Sequence, residues 1–285
     1  MYFLNFLKDQ LGKKLAQRSL NNPIFIVGTG RSGTSILLQA LGKHPDIISF
    51  LGEAPFLTSI GGNASLFCSE NAEFYCSSLK TDIHYFYHTL SRLGLEVAGG
   101  EHYALKRHIE AFHYNKYHYK THWCTKTFPT ENVTQGLLKV YPNAKFLYIV
   151  RNGIDVVNSM TKFHGFRDRE FTNHCHVWKD SINKYRYLTL HKDALFLKHE
   201  DLISDPDIFF SSIYNHLDLK VSQLCIDFTK NNIVHPLDQP NQNKQNAILQ
   251  LKNRQSPFKS WTIDQQQTFI SICSEAMNEL HYPIR

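Results

Sequence analysis

An apolar run, Ile24-Phe25-Ile26-Val27, leads directly into Gly28-Thr29-Gly30-Arg31-Ser32-Gly33-Thr34-Ser35, and a helical pattern (Ile36, Leu37, Leu38, Ala40, Leu41) follows at once. A strand, a glycine turn and a helix start in that order gather backbone N–H groups and the positive end of a helix around one anionic group. The spacing Gly28-x4-Gly33 is that of a P-loop. Thr34, however, stands where a nucleoside triphosphatase places the Lys that grips the β/γ-phosphates. The loop therefore predicts a phosphate-type ligand other than a triphosphate.

The rest of the chain alternates strands and helices. His44-Pro45 ends the first helix, and Ile47, Ile48 and Phe50 predict a short second strand. Residues 54–120 read as mostly helical, with breaks at Gly61-Gly62, Gly94 and Gly99-Gly100. Thr121–Lys126 reads as a buried strand, 131–140 as a helix, and Lys145–Val150 as a core strand bounded by Pro142-Asn143 and Asn152-Gly153. Helices follow over 154–161 and 171–190, then a strand at Ala194–Lys198 and a helix opened by Asp205-Pro206 that runs to Leu217. Residues 231–260, rich in Asn and Gln, read as a long loop or lid, and a last helix covers 263–280. This order predicts an α/β fold, a P-loop NTPase-like parallel β-sheet flanked by helices on both faces. The expected organisation is an N-terminal amphipathic helix over 1–22 and a single domain over 23–285.

Composition narrows the partners. A net charge of +6 with 16 further His residues suits an anionic ligand, but no dense Lys/Arg run argues for nucleic acid. The six cysteines are scattered without CxxC pairs, against a structural zinc site. Cys68 and Cys76 alone are close in sequence, and reduced thiols in a cytoplasmic enzyme are the simpler reading. No run approaches the ~18 apolar residues that span a bilayer. Residues 1–20 place Phe3, Leu4, Phe6, Leu7, Leu11 and Leu15 against Lys8, Lys13, Lys14 and Arg18. This helix reads as packed on the domain, with membrane-surface contact as the alternative. His102, His108, His113, His118 and His122 lie among Tyr103, Tyr114, Tyr117 and Tyr119, which fits an acceptor-pocket wall or a helical layer better than a metal site.

A second signal stands at the end of the Lys145–Val150 strand. Arg151 is followed eight residues later by Ser159, in the next predicted helix. A guanidinium and a hydroxyl so placed can share one phosphate. With the glycine loop, this pair makes the chain similar to the sulfotransferases that use 3′-phosphoadenosine 5′-phosphosulfate (PAPS). Further segments in the same order resemble the branch that includes bacterial, tyrosylprotein and carbohydrate sulfotransferases. They are His44-Pro45-Asp46 with Gly52-Glu53, Trp123-x2-Lys126-Thr127-x-Pro129, and Lys198-His199-Glu200-Asp201-Leu202 with Asp205-Pro206. The likeness covers roughly residues 23–217. Departures are Asn152-Gly153 for the frequent Asp-Pro, and His199 where Tyr is usual.

The resemblance implies roles. Arg31, with the N–H groups of Ser32, Gly33 and Thr34 and a hydroxyl of Thr34 or Ser35, would hold the 5′-phosphate of the donor. Arg151 and Ser159 would hold its 3′-phosphate. Glu53 would be the general base and Lys126 would neutralise the leaving group, while Lys259 is a weaker candidate for closing over the nucleotide. Phe128 stands where cytosolic small-molecule sulfotransferases carry their catalytic His, so that variant of the mechanism is closed. No metal is expected. The implied reaction moves a sulfuryl group from PAPS to a hydroxyl of a small-molecule, carbohydrate or peptide acceptor. The rival readings are a P-loop small-molecule kinase and an inactive scaffold of the same fold.

Overall fold

In the computed structural model, which describes residues 22–54, 56–67, 121–232 and 256–285, the strands β1 (Pro23–Val27), β2 (Ile47–Glu53), β3 (His122–Lys126), β4 (Lys145–Val150) and β5 (Ala194–Lys198) form one sheet in the order β2-β3-β1-β4-β5. The pairings of β3 with β1 and with β2 are both parallel. The helices flanking the strands along the chain are α1 (Thr34–Leu41), α2 (Phe56–Phe67), α3 (Glu131–Val140), α4 (Gly153–Lys162), α5 (Phe171–Tyr185), α6 (His199–Ser204), α7 (Pro206–Leu217), α8 (Gln223–Asn232) and α9 (Ile263–Glu279). This is the α/β class with a parallel sheet that the alternation predicted. The central strand β1 is buried along its whole length, which is why it reads as an unbroken apolar run.

Packing divides the chain into two units. One joins β1 to Leu38–Leu147, and the other joins Gly28–Leu37 to Tyr148–Arg285. In the first, Phe25 meets Trp123 edge-on at 5.6 Å between ring centroids and Phe146 at 5.4 Å. Trp123 also packs against Phe50 at 5.6 Å. Helix α3 begins where Thr130 Oγ1 accepts a hydrogen bond from the Val133 N–H (3.4 Å), and its buried face meets α2. At that crossing a Cβ on Gly61 would strike the Val133 carbonyl, so the helices approach there only because Gly61 has no side chain.

The second unit is built around Tyr148, whose ring lies 5.9 Å from Tyr185 and 5.6 Å from Phe196. Helix α9 packs on α5, with Trp178 6.4 Å from Phe269. Trp261 lies between Phe269 (5.3 Å) and Phe171 (5.0 Å). Helix α9 opens on a capping box, in which Thr262 Oγ1 accepts from the Gln265 N–H and Gln265 Oε1 accepts from the Thr262 N–H.

Several expected boundaries are corrected. Helix α2 runs through Gly61-Gly62 instead of breaking there, because close packing on α3 outweighs the poor helix propensity of glycine. The helix expected over 171–190 ends at Tyr185 and tightens into a 3₁₀ turn over Arg186–Thr189. The short α6 and the helix α8 were not expected, and α8 takes Asn231 and Asn232 from the presumed loop. Pro257–Ser260, at that loop's other end, is a 3₁₀ turn. The N-terminal amphipathic helix, the Cys68 and Cys76 pair, the breaks at Gly94 and Gly99-Gly100, the His-rich stretch before His122 and the centre of the 231–260 segment lie outside the described residues. Among the described residues no helix is long and apolar enough to cross a membrane.

Candidate active site

The glycine loop leaves β1 at Gly28, where a Cβ would strike the Ile149 carbonyl oxygen of β4. The turn closes through the Ser32 N–H, which donates to Thr29 O at 3.2 Å, and α1 starts as the Leu37 N–H reaches Gly33 O at 3.1 Å. Of the three backbone N–H groups expected to face a phosphate, that of Ser32 is thus engaged within the turn. Ser32 and Thr34 are buried, while Ser35 is exposed. Arg31 and Gly33 both occupy the left-handed region, at φ 72° and 91°. For arginine that backbone costs about 1–2 kcal/mol, and its side chain is held on both sides. Arg31 Nε donates to Ser159 Oγ at 2.9 Å, and the guanidinium carbon lies 4.2 Å from the centre of the Phe163 ring. Strain so maintained points to function.

Arg151 follows β4 directly and turns toward this loop, its Nη1 donating to Arg31 O at 3.2 Å. Asn152 replaces the more frequent Asp of this motif without loss of the turn, since its Oδ1 accepts from the Ile154 N–H at 2.9 Å and caps α4. Ser159 lies on that helix, so α4 carries its hydroxyl back to Arg31. The structure therefore brings Arg31, Arg151 and Ser159 together. Arg151 Nε and Thr29 Oγ1 are buried without a hydrogen-bond partner among the described residues. Both are donors, the complement an anionic oxygen requires. The ring of His199 occupies the space a Cβ on Gly33 would need. Burial, with the Arg151 charge in addition, holds the His199 imidazole well below its usual pKa, so it stays neutral.

Glu53 and Lys126 end neighbouring strands and are register partners, after an irregularity between Ser49 and Glu53 that re-aims the end of β2. Lys126 Nζ lies 3.7 Å from Glu53 Oε1, with the lysine side chain 12% exposed and the glutamate 60%. Burial lowers the Lys126 pKa, and the Glu53 carboxylate opposes that shift. A carboxylate beside a half-desolvated ammonium can accept a proton at one atom and steady a negative charge at the other. Lys259 is exposed in the Pro257–Ser260 turn, which packs beside α4. Among the described residues no cluster of three or more His, Cys, Asp or Glu side chains could hold a metal ion.

Sequence reasoning missed Thr29, although it lies inside the glycine motif. It also missed Trp178, Glu200 and Tyr282, which fasten the backbone at Arg151. Glu200 could have been found from its place in the Lys198–Leu202 motif. Nothing local marks Trp178 or Tyr282.

Comparisons with known proteins identify the family and the fold. A sequence model described as the Sulfotransferase family matches residues 23–223. No curated protein sequence matches the chain. Among solved structures, the sulfotransferase domain from the Synechococcus PCC 7002 olefin synthase superposes with a TM-score of 0.51 at 15% identity, covering 90% of this chain and 94% of that one. The sulfotransferase domain from the curacin biosynthetic pathway gives 0.50 at 14% identity, covering 92% and 98%. Mouse sulfotransferase SULT7A1, solved in complex with adenosine 3′,5′-bisphosphate (PAP), gives 0.51 at 17% identity, covering 94% and 91%. At these identities the structures show a shared fold. With the family match spanning most of its length, the chain belongs to the sulfotransferase family and is a sulfotransferase enzyme.

Proposed function

We propose that this enzyme uses PAPS as its sulfuryl donor and transfers the group to a hydroxyl of its acceptor. The observation that carries the reading is the convergence of Arg31, Arg151 and Ser159 on the glycine loop, beside the Arg151 Nε and Thr29 Oγ1 donors that have no partner among the described residues. That set of donors suits the phosphates of an adenosine bisphosphate. The absence of a Walker-type Lys at Thr34 disfavours a nucleoside triphosphate.

In this reading Arg31 with the loop residues Ser32, Gly33, Thr34 and Ser35 holds the 5′-phosphate, Arg151 with Ser159 holds the 3′-phosphate, and Lys259 is a peripheral contact. The acceptor oxygen attacks sulfur in line as the bond from sulfur to the 5′-phosphate oxygen breaks. Glu53 takes the proton from the acceptor hydroxyl. The electron pair of the broken bond stays on the PAP phosphate, where Lys126 offsets the charge. Residues 23–285 act as one sulfotransferase domain, the acceptor is a small molecule, a carbohydrate or a peptide, and the setting is cytoplasmic.

Incubation with labelled PAPS and a panel of sugars, phenols, sterols and peptides tests this, scored by a mass gain of one sulfuryl group. Transfer to any member supports it. Phosphoryl transfer from ATP with Mg²⁺ instead would replace it with a kinase.

A further inference from the structure

One peptide unit in the site is fastened at both of its polar atoms. The Arg151 carbonyl accepts from Trp178 Nε1 at 3.2 Å, and the Asn152 N–H, on the same peptide plane, donates to Glu200 Oε1 at 2.9 Å. The other carboxylate oxygen of Glu200 accepts from the Tyr282 hydroxyl at 2.7 Å. Trp178 also presses its ring against Gly153, where a Cβ would lie 2.9 Å from the indole carbons.

The segment that supplies Tyr282 is itself tied down. Lys198 Nζ donates to Leu280 O at 2.8 Å and lies 4.9 Å from the centre of the Tyr282 ring. The Tyr282 N–H returns to Met277 O at 2.8 Å, across His281 at φ 57°. Tyr282 is buried, and burial together with the Glu200 carboxylate keeps its hydroxyl protonated and therefore a donor. A chain of two hydrogen bonds thus runs from residue 282 to the residue after Arg151.

We infer that Glu200, braced by Tyr282, is a positioning residue for donor binding: it fixes the Arg151–Asn152 peptide and so aims the Arg151 guanidinium. A peptide plane bonded on both edges cannot rotate about the bonds on either side of it without losing a hydrogen bond. The Arg151 side chain leaves the backbone at the Cα that flanks this plane. Among the described residues its guanidinium donates to Arg31 O through Nη1 and its Nε has no hydrogen-bond partner, so its direction depends largely on the backbone. The inference rests on the proposed role of Arg151 in holding the nucleotide. It adds a contribution from residues 280–282, which lie beyond the 23–223 stretch that the family model matches.

The test is calorimetric titration of PAP into the full chain carrying Tyr282→Phe, Glu200→Gln or Glu200→Ala, each alone and with Arg151→Ala. Tyr282→Phe removes one oxygen and should raise the PAP Kd about three- to tenfold, the worth of one hydrogen bond. Glu200→Ala should raise it further, and Glu200→Gln less, because the Gln carbonyl still accepts from Asn152. With Arg151→Ala in place, Tyr282→Phe should change Kd less than about twofold, since the group it aims is gone. An unchanged Kd in Tyr282→Phe overturns the inference. So does an equal loss in both Arg151 backgrounds, which would mark a general structural role. Should Glu200→Ala fail to fold, Tyr282→Phe carries the decision. If the unmodified chain binds no PAP, or binds it equally well with Arg151→Ala, the proposed role of Arg151 fails and this inference falls with it. A Tyr282→Phe failure beside intact, Arg151-dependent binding removes only the inference.

Discussion

Gly33→Ala separates the shape of the glycine loop from its charge. Gly33 sits at φ 91°, where any L side chain is strained, and a Cβ there would collide with the His199 ring. The backbone cost is about 1–2 kcal/mol. Displacing a well-packed ring adds about 1–3 kcal/mol. The variant should therefore lose roughly 2–5 kcal/mol of stability, read as a lower urea midpoint at unchanged slope. PAP affinity should fall by about tenfold or more, because the loop N–H groups no longer meet a phosphate in register. His199→Ala makes room, so the double variant should be more stable than the two single losses predict by about 1–3 kcal/mol, leaving the backbone term behind. If Gly33→Ala unfolds within about 0.5 kcal/mol of the parent and binds PAP equally well, the loop does not hold this conformation and the reasoning fails.

Other expectations concern the pair at the strand ends and the buried imidazoles. Glu53→Gln should lower turnover by about 100- to 10,000-fold, the range for losing a general base, while PAP binding measured by titration stays within about twofold. Lys126→Ala should reduce turnover by about 100-fold with a smaller loss of PAP affinity, and steady-state kinetics with a fixed acceptor would reveal it. His199 and His174 are both held below their usual pKa, chiefly by burial, with Arg151 and Arg169 adding to it. Below about pH 6.5 the unfolded chain takes up protons that these residues refuse in the fold, so stability falls with pH by up to about 1.4 kcal/mol per unit for each. Above that pH they give no slope. Urea midpoints between pH 8 and pH 5 would show the fall, and a midpoint rising on acidification would contradict it.

What the sequence disclosed follows from how local the signals are. Strands β4 and β5 and helix α3 were legible to the residue because each is an apolar or amphipathic run bounded by turn or cap residues, such as Pro142-Asn143 before β4 and Thr130 before α3. The loop and the Arg151-to-Ser159 spacing were legible because each lies in one strand–turn–helix unit. Glycine at position 61 misled, since a packing demand looks in sequence like a helix break. The bond between Arg31 and Ser159, 128 residues apart, left no local trace. Nor did the register that sets Glu53 beside Lys126, which depends on an irregularity in β2. The brace from Tyr282 joins segments 82 residues apart and is invisible until the chain folds.

The central claim is that the arginines around the glycine loop receive an adenosine bisphosphate without help from a metal. Titration of PAP into the chain in the presence of EDTA tests it most directly. The account predicts stoichiometric binding that Arg151→Ala weakens by about 10- to 100-fold, the worth of hydrogen bonds to a charged group. Binding of ATP only when Mg²⁺ is added, with no affinity for PAP, would contradict it.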